Sequence, residues 1–161
     1  MILVKCTERD REALKTVEVD PENMDDNGAV YDGIKVKKPW GCEIENYRDD
    51  DLSIWWLKIY QDQQTSMHCH VNKTTMLFMQ AGTATLLTLN GDYELKEGDL
   101  VLIEKGAFHQ TKSNGVPVRL YELETPPNKR DLVRLQDAYG RGQGYERIEP
   151  AKVLFPENEG T

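Results

Sequence analysis

The chain has 161 residues, of which 39% are hydrophobic and 30% charged, with a formal net charge of −8. That length fits one domain able to bury a core without staples. The acidic balance excludes a nucleic-acid or anionic-membrane surface, and no run of about 18 apolar residues offers a membrane span.

In chain order, residues 1–33 read as an N-terminal extension. Ile2-Leu3-Val4 suits an edge strand, and Thr7 suits the N-cap of a short helix to Leu14. The apolar start meets Glu8, Arg9 and Asp10 too soon for a signal peptide. Cys6, Cys42 and Cys69 are odd in number and have no paired spacing. They read as reduced thiols of a cytoplasmic protein. Pro21 to Gly28 reads as an acidic loop.

From residue 34 to 125 the texture is that of short strands. The runs are Ile34 to Val36, Ser53 to Tyr60, Met76 to Met79, Thr83 to Leu89, Tyr93 to Leu95, Leu100 to Ile103 and Val118 to Leu123. Glycine-bearing turns separate most of them, and Asn90-Gly91 is the strongest hairpin signal. Such spacing predicts an all-β sandwich or small barrel. Residues 126–161 read as a C-terminal helix and tail. Asp131 is the expected N-cap, Leu132 to Tyr139 the helix and Gly140 its stop.

The chain has three histidines, and all fall in the β region. His68 and His70 flank Cys69 on an expected strand, so the two imidazoles share a face and Cys69 takes the other. His109 follows after a meander of about four strands and can return beside them. Three converging imidazoles make a site for Zn, Fe, Ni, Cu or Mn. The alternative is three unrelated core histidines. Trp55 and Trp56 are adjacent, so one points inward and the other toward a covered or dimeric surface.

These residues resemble a known family. His68-Cys69-His70, Thr75 and Gly82 resemble the first cupin motif, G…HxH…E…G. Gly98 through His109 resembles the second, G…PxG…H…N. Lys38-Pro39-Trp40-Gly41 and Asp131 to Arg141 resemble the segments that open and close the cupin domain of type II mannose-6-phosphate isomerases. The resemblance implies a small jelly-roll β-barrel that holds a metal with His68, His70 and His109. It also implies sugar-phosphate or nucleotide-sugar chemistry, with Arg141 as an anion-binding residue. The chain departs from the family at Thr75, which stands where the motif has Glu; Glu104 and Ser113 replace its Pro and Asn.

Without the Glu, three neutral imidazoles leave the site at +2, which favours an anionic or chelating ligand. The candidates for a base are Glu122 and Glu124 on the last strand, and Glu104. Arg141, Lys73 and Thr75 are candidates for substrate contact, although Lys73 also reads as a surface lysine and Arg141 as a solvated residue past a helix end. Trp40 either lines the barrel mouth or seals the core. Three functions follow: a metal-dependent enzyme acting on or binding a sugar phosphate, a three-His Fe(II) dioxygenase, or a non-catalytic ligand-binding cupin. A homodimer is expected, with Met1 to Lys5 as a candidate edge.

Overall fold

The computed structural model describes residues 1–19 and 35–143. Seven strands form one sheet in the order β1 (Ile2–Val4), β9 (Leu100–Ile103), β6 (Thr74–Ala81), β11 (Val118–Thr125), β4 (Ser53–Ile59), β3 (Gly41–Arg48) and β2 (Lys35–Lys38). Five form the other: β12 (Val133–Gln136), β5 (Met67–Cys69), β10 (His109–Ser113), β7 (Ala84–Thr88) and β8 (Gly91–Leu95). All named pairs are antiparallel except β1 with β9. The expected Asn90-Gly91 hairpin joins β7 and β8, with Thr88 opposite Gly91. Among the described residues, no helix is long and apolar enough to cross a membrane. The acidic loop expected over 21–28, Ile34 and the tail beyond 143 lie outside the described residues.

The main core fills the space between the sheets. Trp55, Leu57, Ile59, Leu77 and Met79 come from the larger sheet, and Ala84, Leu86 and Leu95 from the smaller. A second cluster lies on the outer face of the smaller sheet. There Met67, Cys69, Phe108 and Val133 are covered by Ala13 and Leu14 of helix α1 (Glu8–Lys15) and by Val17 and Val19 beyond it. Thr7 is the N-cap, as expected. Cys69 is buried in this cluster, and burial pushes its thiol up to about 12. It therefore takes the face opposite the two histidines beside it.

Asp10 fastens α1 to the barrel. One carboxylate oxygen accepts the Phe108 backbone N–H at 2.8 Å; the other accepts the N–H and hydroxyl of Thr7 at 2.8 Å and the Asn90 amide at 3.1 Å. Asp10 is 1% exposed, so its removal strands a buried donor next to His109. Asp10→Ala is expected to cost roughly 1–3 kcal/mol. That lowers the melting midpoint by about 2–4 °C per kcal/mol in a chain of this size. Scanning calorimetry reads the shift, and an unchanged midpoint would deny Asp10 this role.

The structure corrects the C-terminal helix. Residues 133–136 are strand β12, which pairs with β5 through Val133 opposite Cys69 and Arg134 opposite His68. Val133 and Leu135 complete the cluster under α1, while Arg134 faces the interior. The alternation Val-Arg-Leu fits a strand buried on both faces, and tertiary pairing overrides the cap signal. Asp131 accepts the Val71 and Asn72 backbone N–H groups at 3.0 and 2.7 Å and caps no helix. β3 was unexpected. It points Glu43 and Glu45 inward, at 3% and 1% exposure, and Ile44 outward.

The outer face of the larger sheet is unusually apolar. Leu3, Leu102, Met76, Leu123, Ile54 and Tyr47 stand in register across six strands. One step along, Leu100, Phe78, Tyr121, Trp56 and Ile44 form a second row. None of the eleven belongs to either core cluster. Trp55 is buried in the core and Trp56 is the outward member of the pair, its Nε1 donating to Gln80 at 2.9 Å.

Candidate metal centre

β5 and β10 lie side by side in register, with His68 opposite His109. Alternation puts His68 and His70 on one face, so all three imidazoles meet inside the barrel. Their ring centroids are 4.5, 5.0 and 5.5 Å apart, and all three residues are buried. The potential ligand atoms lie within 4.8 Å of one another.

Each imidazole is oriented by a backbone carbonyl. His68 Nδ1 meets Ser66 O at 2.7 Å, His70 Nδ1 meets Asp131 O at 2.5 Å and His109 Nδ1 meets Ala107 O at 2.9 Å. A carbonyl oxygen can only accept, so each Nδ1 carries the hydrogen and each Nε2 keeps its lone pair. His70 Nε2 is buried with no hydrogen-bond partner. Three oriented lone pairs, one of them an orphan, fit a divalent ion, and fixing the far ring nitrogen is how ligating histidines are held. Burial holds all three neutral: His109 falls to about 4, and His68 and His70 fall well below the ordinary value of 6.5. Charge repulsion from His109 adds to burial at His68, and from Lys73 at His70.

His68 and His70 form the floor of a pocket of about 460 Å³, including its open mouth. Trp40 lines this pocket and is also 4% exposed within the core, so both of its expected roles are met. Gly41 follows it where any Cβ would collide with the Lys58 carbonyl oxygen. Five cationic side chains line the pocket (Lys38, Lys73, Lys129, Arg134 and Arg141) against three carboxylates (Glu43, Glu122 and Glu124). A smaller cavity on the other side of His68 is lined by Leu57, Ile59, Leu77 and Leu120 together with Thr65, Thr111, His68, His109 and Glu122.

Glu122 and Glu124 face inward, settling the strand parity left open by the sequence. Lys73 is not a surface residue. It is 1% exposed, pairs with Glu124 at 2.9 Å and donates to Asn128 O at 2.9 Å. Thr75 is buried opposite Glu124, and its hydroxyl has no partner. Arg141 lies at the pocket and pairs with Asp137 at 2.9 Å, and among the described residues the segment before it is strand and turn rather than helix. Glu104 is exposed, accepts the Cys6 N–H at 2.9 Å and does not line the pocket.

Sequence reasoning missed Lys129, the hub of this charge cluster. Its Nζ lies 3.1 Å from Glu124, 3.4 Å from Glu122 and 3.7 Å from Glu43, and 4.0 Å over the Trp55 ring. Burial pushes Glu122 up to about 7, aided by the charge of Glu124. Burial also opposes ionisation of Glu124, but Lys129 and Lys73 outweigh it and hold this carboxyl well below the usual range. Lys129 stays charged against its own burial because Glu124, Glu43 and Glu122 surround it. The only trace of Lys129 in the sequence is a lysine shortly after Pro126-Pro127, which reads as solvated loop.

No protein-family model matches the chain, and no curated protein matches it. Solved structures do. KdgF from Halomonas sp. superposes with a TM-score of 0.53 at 13% identity, over 56% of this chain and 83% of that one. A conserved protein with a double-stranded β-helix domain from Klebsiella pneumoniae gives 0.53 at 17%, over 58% and 84%. An RmlC-like cupin from Shewanella frigidimarina gives 0.54 at 12%, over 58% and 83%. At these identities the likeness concerns the fold. The chain is an all-β jelly roll of the cupin, or double-stranded β-helix, type, with three buried histidines able to hold a metal.

Proposed function

We propose that this protein is a metal-dependent enzyme that acts on a small anionic, sugar-like molecule, a phosphorylated or nucleotide-linked sugar, as a cytoplasmic homodimer. One observation carries the reading: three Nε2 lone pairs, oriented by backbone carbonyls, converge where a pocket with more cations than carboxylates reaches His68 and His70. His68, His70 and His109 would hold the ion, which supplies Lewis acidity toward a carbonyl or hydroxyl oxygen. The remaining chemistry belongs to the chain. Arg134 and Arg141 at the pocket suit an oxyanion, which a guanidinium meets with two parallel hydrogen bonds. Glu122 keeps its proton to about pH 7 while Glu124 is ionised, so the pair sets an acid beside a base. Moving a proton between adjacent carbons of a sugar needs such a pair.

The cavity behind the histidines supports a second reading, a three-His Fe(II) dioxygenase, because its Leu57, Ile59, Leu77 and Leu120 walls suit a small apolar molecule such as dioxygen. One experiment separates the readings. Protein reconstituted with Zn, Co, Mn or, anaerobically, Fe(II) is offered hexose phosphates and then chelating acids with oxygen. Sugar-phosphate turnover that needs the metal is expected. Oxygen uptake with iron and a chelating acid would favour the dioxygenase. Saturable sugar-phosphate binding without turnover under any metal would leave a binding protein, and no binding at all would overturn the sugar reading.

A further inference from the structure

We infer that the apolar outer face of the seven-stranded sheet is a homodimer interface, in which a second copy packs face to face with its strands running opposite. This rests on the homodimer proposed above and is independent of the metal and of the reaction. The strands around the charge cluster are patterned inside out: β3 and β11 send Glu43, Glu45, Glu122 and Glu124 inward while Ile44, Tyr121 and Leu123 face out. The charged pocket thus leaves the apolar side chains of these strands on the outside. Phe78 is 40% exposed, Leu3 41% and Tyr47 49%.

Area and charge both point to a second copy. Six strands at about 4.8 Å each occupy about 29 Å, and the two apolar rows with one polar row on each side, at about 6.8 Å each, occupy about 27 Å along the strands. That face covers roughly 780 Å², near the ~800 Å² per partner of a standard interface, with an apolar centre and a polar rim. The rims have opposite sign. Lys37, Lys58 and Arg119 edge the apolar rows at one end of the strands. The turn Asp49, Asp50 and Asp51 lies at the other end of the β3–β4 hairpin. A two-fold axis across the strands, between the apolar rows, lays each basic rim over the partner's acidic turn and each apolar row over the other. An axis along the strands would set like charge against like. An isologous interface needs this self-complementarity.

Sedimentation velocity at micromolar concentration tests the inference. The chain is expected at twice its 18.5 kDa. Phe78→Glu with Tyr121→Glu should weaken self-association at least about thirtyfold, as loss of a central anchor does. The rim variants keep the apolar face and so the fold. Lys58→Asp with Arg119→Asp should weaken the dimer, Asp50→Lys with Asp51→Lys should do the same, and the four together should restore it. A wild-type monomer overturns the inference and leaves the face to a different partner. A dimer that survives the Phe78 and Tyr121 changes also overturns it, and failure of the combined rim swap overturns the opposed orientation.

Discussion

His109→Ala is expected to yield a folded protein that loses its divalent ion. After dialysis, elemental analysis should find about one ion per parent chain and less than about a tenth of that in the variant. Loss of an outer hydrogen-bond partner alone weakens a metal site about 10–100-fold, and removal of a ligand should exceed that range. The pH dependence has a definite sign. In the folded apoprotein His109 titrates at about 4 and the other two well below 6.5. Between about pH 5 and 7 the triad carries no protons for an ion to displace, so calorimetry in two buffers at pH 6 should find almost no proton release from the histidines. The unfolded chain does take up protons below its ordinary histidine value, so apoprotein stability falls as pH drops from about 6.5 toward 4. Metal content unchanged in His109→Ala would show that the triad is not the site. Large proton release at pH 6 would show that the imidazoles are not held neutral.

The barrel was legible because its signals are local. Glycine turns and apolar runs placed β4, β6, β7, β8, β9 and β11, and strand alternation brought His68 and His70 to one face with Cys69 on the other. The second half of the site was harder to read because its cause is not local. Glu43, Glu45, Lys73 and Lys129 carry the sequence signature of solvated residues, yet each is at most 8% exposed. Their burial is possible because charges from β3, β11 and two loops neutralise one another, which no window of sequence displays. β12 was hidden by the same kind of distant pairing. Its alternation is only three residues long, and its partner Cys69 lies 64 positions away. Thr75 is the instructive departure. The carboxylate that the family motif places there is absent, but Glu124 stands opposite it on the next strand, held by Lys73 rather than aimed freely at a metal.

That charge cluster gives a prediction of opposite signs for two of its members. Lys129→Met keeps the length of the stem over Trp55 but removes the cation that Glu124, Glu122 and Glu43 share. Breaking a buried ionic network by deleting one partner costs about 3–5 kcal/mol, because the opposing charges stay buried. The deficit should shrink below about pH 5, where the stranded carboxylates can take up protons. Glu122→Gln should do the reverse. Its carboxyl titrates at about 7 in the fold against an ordinary value of 4.5, so the folded state holds more protons than the unfolded one between those values. Stability from this group is present below about pH 4.5 and is lost as pH rises through 7. A neutral amide escapes that loss, so Glu122→Gln should match the parent at pH 5 and exceed it at pH 8 by on the order of 1–3 kcal/mol. Denaturant unfolding of both variants at pH 5 and pH 8 measures this directly. If Glu122→Gln is less stable than the parent at pH 8, Glu122 is ionised in the fold and is a structural ion-pair partner. If instead it gains stability there, the parent retains a costly buried carboxyl, as expected of a group kept for proton transfer at the cost of stability.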